Sequence, residues 1–200
     1  MRRRALRPAV ALYGPPVSGK DTVTAALLRL DGRYVAYQRL KVGGGRVHGY
    51  RFITAEQFDR LEAAGEILYR NRRYGNLYGV DRASLASVAE AGGVPVLHLG
   101  QVDALSAVEA FPAAWVRVLL WCPRAATAQR SAARGDTDAG ARLAAWDETQ
   151  RDLGEHPHTR FDLAIRTDRA TPLEAARSIH AVVLTGSRGR TAPRSEVMAA

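Results

Sequence analysis

Pro8-Ala-Val-Ala-Leu-Tyr13 runs directly into Gly14-Pro-Pro-Val-Ser-Gly19-Lys20-Asp21-Thr22, and the reading of this stretch decides the fold. Residues 8–13 have the length and apolar composition of a buried strand, Gly14 to Gly19 form a turn, and the spacing beyond predicts a helix to about Leu30. A turn of the form G-x-x-x-x-G-K between strand and helix is a phosphate cradle. Its glycines let backbone N–H groups converge on phosphate oxygens, the helix N-terminus adds its positive end, and the lysine ammonium reaches the outer phosphates. Gly14, Pro15, Pro16, Val17, Ser18, Gly19, Lys20, Asp21 and Thr22 are the nucleotide-binding residues that this reading expects.

Lys20 gains weight from the rest of the chain, because Lys20 and Lys41 are the only lysines among 29 lysine and arginine residues. Asp21 departs from the pattern, standing where serine or threonine ordinarily binds magnesium. A carboxylate beside a triphosphate is repelled unless a metal lies between them. Asp21 is therefore expected to bind Mg²⁺ directly or through water, with Thr22 taking that task if Asp21 points away.

Working outward, the apolar runs Val94–Leu99, Trp115–Trp121 and Phe161–Ile165 have strand character, and helical segments separate them. Alternation of this kind predicts an α/β fold with a doubly wound parallel sheet. Thr54 with Gln57, and Thr171-Pro-Leu-Glu174, have the spacing of capping boxes. An insert at about 38–82, rich in glycine, tyrosine and arginine, is a candidate substrate subdomain. A second segment, about 124–156, carries Arg130, Arg134 and Arg142 around Gly135-Asp-Thr-Asp138 and reads as a mobile arginine lid. The expected organisation is a basic tail over 1–7, one domain over 8–184, and a disordered tail over 185–200.

The chain has 200 residues and a formal net charge of +9. Six of those nine charges lie in the arginine-rich ends, so the composition argues against a nucleic-acid footprint on the folded body. A single cysteine, Cys122, allows no intrachain disulfide, which fits the cytoplasm. No segment approaches the apolar length of a membrane span. His156-Pro-His158 reads as a loop rather than a metal site, and Trp115, Trp121, Trp146 and Cys122 read as packing residues.

The residues together resemble the guanylate kinase family. The longest match is Ile67-Leu-Tyr-Arg-Asn-Arg-Arg-Tyr-Gly-Asn-Leu-Tyr-Gly79, which is similar to that family's stretch ending in G-N-Y-Y-G. Val47–Phe58, Arg130–Gly135 with Arg142-Leu143, and Phe161–Asp168 extend the likeness over about residues 8–184. The resemblance implies a P-loop, nucleoside monophosphate kinase-like fold. It implies ATP and Mg²⁺ as cofactors and a phosphorylated small molecule as acceptor in the 38–82 insert, which makes that insert the acceptor-binding one; the chain is expected to act as a monomer or homodimer. It also implies that Arg39, Tyr50 and Tyr78 hold the acceptor phosphate, while Lys20, Arg134 and Arg142 serve catalysis. Lys41 or Arg46 would replace a second phosphate-binding arginine that has no clean counterpart.

The departures bear on the substrate. Guanine's N1–H and amine are donors, so a guanine pocket needs acceptors, and burying those donors unpaired is costly. Here Tyr69 stands in place of the family's guanine-binding glutamate, Gly100 in place of a second carboxylate, Val80 in place of a hydroxyl, and His98 in place of another aspartate. Arg72 occupies a position that is acidic in the family, and Arg70 and Arg73 flank it. Tyr69, Arg72 and Gly100 join Arg39, Lys41, Tyr50 and Tyr78 as candidate acceptor residues. Gly100 and Lys20-Asp21 followed by a hydroxyl residue are shared with the ribose 1,5-bisphosphate phosphokinase branch, although Lys-Asp-Thr is also similar to some phage deoxynucleotide kinases. The leading expectation is an ATP-dependent kinase acting on a phosphate-bearing nucleotide or sugar other than GMP. A nucleoside monophosphate kinase with a rebuilt base pocket is the alternative. A binding module that has lost catalysis is a third reading, opposed by Lys20 and the lid arginines.

Overall fold

The computed structural model describes residues 6–45, 47–73, 75–135, 139–186 and 197–198. Its centre is β1 (Pro8–Tyr13), followed through the glycine turn by α1 (Lys20–Leu30) and β2 (Tyr34–Ala36). The chain returns to this sheet with β7 (Val94–Leu99), β8 (Ala114–Trp121) and β9 (Leu163–Arg166), giving a five-stranded sheet in the order β2-β7-β1-β8-β9. All its pairings are parallel. The expected doubly wound sheet is present.

β1 is buried on both faces, and its alternation divides the core. Val10 and Leu12 pack with Val23 and Leu27 of α1 and with Ala176 and Ile179 of α7 (Pro172–Thr185). Ala11 and Tyr13 pack on the other side with Leu97, with Leu105 of α4 (Val102–Val108), and with Trp146 of α6 (Ala139–Glu155). Leu12 is fully buried, and truncation to alanine there is expected to cost about 2–5 kcal/mol. Both anticipated capping boxes form, and Pro172 fills the first position of α7.

The insert builds a second sheet. It comprises β3 (Arg39–Val42), β4 (Tyr50–Phe52), α2 (Ala55–Ala63), β5 (Ile67–Arg73) and β6 (Asn76–Asp81), and α3 (Arg82–Glu90) leads back to the core. The strands lie in the order β4-β3-β6-β5. Leu40 and Leu77 pack against Phe58 of α2 on one face. Gly79 is required there, since a Cβ would lie 2.7 Å from the Phe58 ring. The other face, by the two-residue period of strands, carries Arg39, Lys41 and Tyr78.

Two segments differ from the sequence reading. The 124–156 segment folds as α5 (Arg124–Ala133) and α6, and most of α6 belongs to the core, because Ala145, Trp146, Thr149 and Leu153 are buried. Asp136–Asp138, between α5 and α6, lie outside the described residues. Of the tail expected to be disordered, 187–196 and 199–200 lie outside the described residues, as do 1–5 at the other end. Val197 is buried against the second core cluster beside Met198, and its carbonyl accepts from Arg166 at 3.5 Å. An apolar pair at the end of a polar tail has a core to join.

Candidate active site

The strands of the main sheet end together at one edge, with the phosphate loop at the end of β1 beside Gly100 after β7, Cys122 after β8 and Thr167 after β9. β1 lies between β7, which follows β2 across one half of the sheet, and β8, which begins the other half. Ligands of open α/β sheets bind at such a point of reversal.

The loop has the backbone of an anion nest. Gly14 adopts φ 154° and Gly19 φ 89°, and Val17 is the one non-glycine described residue with positive φ, at 61°. A β-branched residue in this region is strained and is retained where surrounding structure over-determines it. Gly14 admits no side chain, since a Cβ would meet the Leu120 carbonyl oxygen at 2.1 Å. Lys20 Nζ donates to the carbonyls of Gly14 at 2.7 Å and Pro15 at 2.8 Å. Burial pulls the Lys20 ammonium down to about 8; Asp21 opposes that shift, and the Arg39 and Arg73 charges add to it.

Asp21 and Thr22 turn to different sides. The Asp21 carboxylate is 68% exposed and lies 3.5 Å from His98 Nδ1, while His98 Nε2 meets Thr24 Oγ1 at 2.7 Å. Thr22 lines a pocket of about 240 Å³ with Val17, Gly19, Arg130, Arg134 and Thr167. Exposed carboxylate and hydroxyl oxygens at the start of α1 are hard donors of the kind Mg²⁺ takes beside phosphates, so the residues fit that ion. Arg130 crosses from α5 to donate to the Val17 carbonyl at 3.2 Å and the Thr167 carbonyl at 2.5 Å. Arg134 is exposed at the end of α5, and Arg142 is half-buried in the first turns of α6.

On the inner face of the insert, two cations lie over aromatic rings. Arg39 stands 5.6 Å from the Tyr50 ring centre and 5.2 Å from that of Tyr78, and it donates to the Tyr50 hydroxyl at 3.4 Å. Lys41 is buried, with Nζ 5.1 Å from Tyr50, 5.2 Å from Phe52 and 5.8 Å from Tyr78. The structure thus gathers Arg39, Lys41, Tyr50 and Tyr78 as the sequence led us to expect. Arg46 lies outside the described residues.

The alternation of β5 separates the remaining candidates. Tyr69 and Asn71 both donate to the side-chain oxygen of Gln101, and burial pushes the Tyr69 phenol up to about 12. Asn71 Oδ1 is buried and makes no hydrogen bond. Arg72 is not with this group: it pairs in register with Leu77, whose side chain faces α2, and it is exposed. The strand period, which the count of arginines in 70–73 does not convey, decides this. Arg70 binds Glu62 of α2 at 2.6 Å. Arg73 instead reaches Glu148 of α6 at 2.5 Å and would lie 3.9 Å from a Cβ at Gly100. Sequence reasoning missed Gln101 and Glu148. Gln101 carried the weak signal of following a glycine at a strand end, and Glu148 carried none.

Asp152 of α6 braces this edge, accepting from the Tyr13 hydroxyl at 2.7 Å and from the Val102 backbone N–H at 2.8 Å. It thereby ties β1, the Gly100–Gln101 turn and α6 together.

A phosphate loop after the first strand, a separate four-stranded sheet and a helical pair bearing arginines define a P-loop kinase fold of the guanylate kinase-like type. The chain belongs to the chloramphenicol phosphotransferase-like protein family, whose profile matches residues 78–184. It is 35% identical over 131 residues to a guanylate kinase of Symbiobacterium thermophilum, covering 63% of this chain and 62% of that protein. It is 29% identical over 181 residues to a ribose 1,5-bisphosphate phosphokinase of Rhodopseudomonas palustris, covering 88% of each. The alignments with the guanylate kinases of Symbiobacterium and Chromohalobacter salexigens span 62% and 60% of those proteins, less than two thirds of their length. The crystal structure of guanylate kinase from Anaplasma phagocytophilum shares the fold with a TM-score of 0.63 at 20% identity, covering 98% of this chain and 89% of that one. No helix of the described residues is long and apolar enough to cross a membrane.

Proposed function

We propose that the protein is an ATP-dependent phosphotransferase whose acceptor is a phosphate group on a small molecule other than GMP, with a sugar bisphosphate as the favoured class. The observation that carries this reading is the pair Arg39 and Lys41 stacked over Tyr50, Phe52 and Tyr78 on the face of the insert. Two cations against aromatic faces suit a dianionic phosphate and have no use for a neutral acceptor.

In the reaction, an oxygen of the acceptor phosphate attacks the γ-phosphorus of ATP, the bond to the β,γ-bridging oxygen breaks, and ADP leaves. The attacking oxygen is already anionic, so no general base is required. Phosphoryl transfer needs positioning and charge neutralisation above all. Lys20 neutralises the outer phosphates, exchanging its bonds to the Gly14 and Pro15 carbonyls for phosphate oxygens. Asp21 and Thr22 are the candidates to hold Mg²⁺, which would supply charge neutralisation on the transferring phosphates. Thr22, Arg130 and Arg134 line the wall against which the nucleotide lies, and Arg134 and Arg142 close on the moving phosphoryl group.

The acceptor class follows from what stands at the base-reading positions. Tyr69, Gly100 and Val80 offer guanine no carboxylate, and leaving its donors unpaired costs about 1–3 kcal/mol each. The 88% coverage shared with a ribose 1,5-bisphosphate phosphokinase supports a sugar bisphosphate in that space. The test is ADP release with ATP and Mg²⁺ across GMP, AMP, CMP, UMP and ribose 1,5-bisphosphate. The expected result is release with the sugar bisphosphate at least 10²-fold above GMP, as loss of two such partners requires. A marked preference for GMP would overturn the reading.

A further inference from the structure

Of the three arginines crowded into 70–73, one alone faces the site. Arg70 is engaged by Glu62 on the outer side, Arg72 projects with Leu77 toward the α2 face, and Arg73 follows Tyr69 and Asn71 on the inner face of β5. Its guanidinium lies at Gly100, where a side chain of any size would have to pack against it. Arg73 is also close enough to the phosphate loop to help depress the Lys20 ammonium.

Arg73 is paired with the Glu148 carboxylate, which comes from α6 rather than from the insert. Glu148 is 56% exposed and Arg73 33%, so the pair is of the solvated kind that contributes little and exchanges readily. A phosphate dianion offers the same guanidinium two parallel hydrogen bonds and a larger charge. Charge balance in the site points the same way. Arg39, Lys41 and Lys20 already serve the reacting phosphates, which leaves the positive charge of Arg73, beside Gly100 and the Tyr69–Gln101–Asn71 cluster, for another part of the acceptor.

We infer that Arg73 determines acceptor specificity by gripping a second phosphate at the far end of the acceptor, displacing Glu148 as it does so. The inference rests on the acceptor reading above and goes beyond it in naming the residue and the exchange. Glu148 becomes a placeholder anion that the second phosphate of a doubly phosphorylated acceptor replaces on Arg73. Gly100 is the gap through which that phosphate reaches the guanidinium.

Calorimetric titration tests this, with Mg²⁺ and a non-hydrolysable ATP analogue present and ribose 1,5-bisphosphate, ribose 1-phosphate and ribose 5-phosphate as probes. The wild-type chain is expected to bind the bisphosphate roughly 10- to 100-fold more tightly than either monophosphate, the range of one charged hydrogen-bonded contact. Arg73→Gln should abolish most of that preference. Glu148→Gln should enlarge it several-fold by removing the competing carboxylate, whereas a pair that merely braced α6 would give weaker binding in both variants. Loss of bisphosphate affinity in Glu148→Gln equal to that in Arg73→Gln, or a preference unchanged by Arg73→Gln, overturns the inference while the acceptor reading stands. If the wild-type chain binds none of the three sugar phosphates, both fall together.

Discussion

Arg130 holds the Val17 carbonyl at 3.2 Å, and Val17 is the one described non-glycine residue in the left-handed region. The same guanidinium grips the Thr167 carbonyl at 2.5 Å, so α5, the loop after β9 and the strained corner of the phosphate cradle form one unit. Strain of this kind costs about 1–3 kcal/mol and persists only where neighbours fix it.

Arg130→Gln is accordingly expected to raise the KM for ATP about tenfold, the effect of one lost charged hydrogen bond at the cradle. Acceptor KM should move little, because the partners of Arg130, Val17 and Thr167, lie outside the insert. Steady-state kinetics with each substrate varied in turn checks the split, and equal rises in both constants would place the damage in folding.

Gly14→Ala should abolish ATP binding. The added Cβ would overlap the Leu120 carbonyl oxygen at 2.1 Å, and neither backbone can yield without moving the loop off β1. Overpacking against main chain is expected to lower stability by about 1–3 kcal/mol as well. Nucleotide titration together with urea unfolding measures the two effects.

Lys20 makes ATP binding and stability depend on pH in opposite senses. Its folded pKa is about 8 against an ordinary 10.5, so between those values the unfolded chain holds the proton that the folded chain has released. Stability relative to Lys20→Met should therefore rise as pH climbs from about 8 toward 10.5, and the burial penalty should be present in full below that window. ATP restores the charge, so binding near pH 8 should take up a proton. Calorimetry in buffers of different ionisation enthalpy detects that uptake, and its absence would contradict the depressed value.

Asp21→Asn should raise the Mg²⁺ concentration needed for half-maximal activity several-fold, since an amide oxygen is a weaker donor to a hard cation than a carboxylate. Thr22→Val should leave that midpoint near the wild-type value and act on ATP affinity instead, as its place on the pocket wall suggests. The reverse pattern would assign the metal to Thr22.

Much of the architecture was legible because its signals are local. The β1 run, the glycine turn and both capping boxes are set by residues a few positions apart, and the structure reproduces them. Arg39, Lys41, Tyr50 and Tyr78 entered through the family resemblance rather than through any local pattern, and the structure gathers them on one face of a small sheet. What the sequence hid depends on alternation and on long-range partners. Arg72 and Arg73 are neighbours in the chain yet face opposite sides of β5, and Glu148 meets Arg73 across 75 positions. The 124–156 segment looked like a lid because of its arginines, but Trp146 and Leu153 commit α6 to the core. Val197 likewise sits in a tail whose composition suggests no packing.

The most direct test of the central claim, transfer from ATP onto an acceptor phosphate, is ³¹P NMR of the reaction mixture with ribose 1,5-bisphosphate, Mg²⁺ and ATP. The account predicts that, as ADP appears, one acceptor phosphomonoester signal is replaced by the coupled doublets of a new P–O–P linkage, and that Lys20→Met fails to produce them. A new phosphomonoester singlet would mean transfer to a hydroxyl, and ATP left intact with every phosphorylated acceptor would mean no such transfer at all; either result would contradict it.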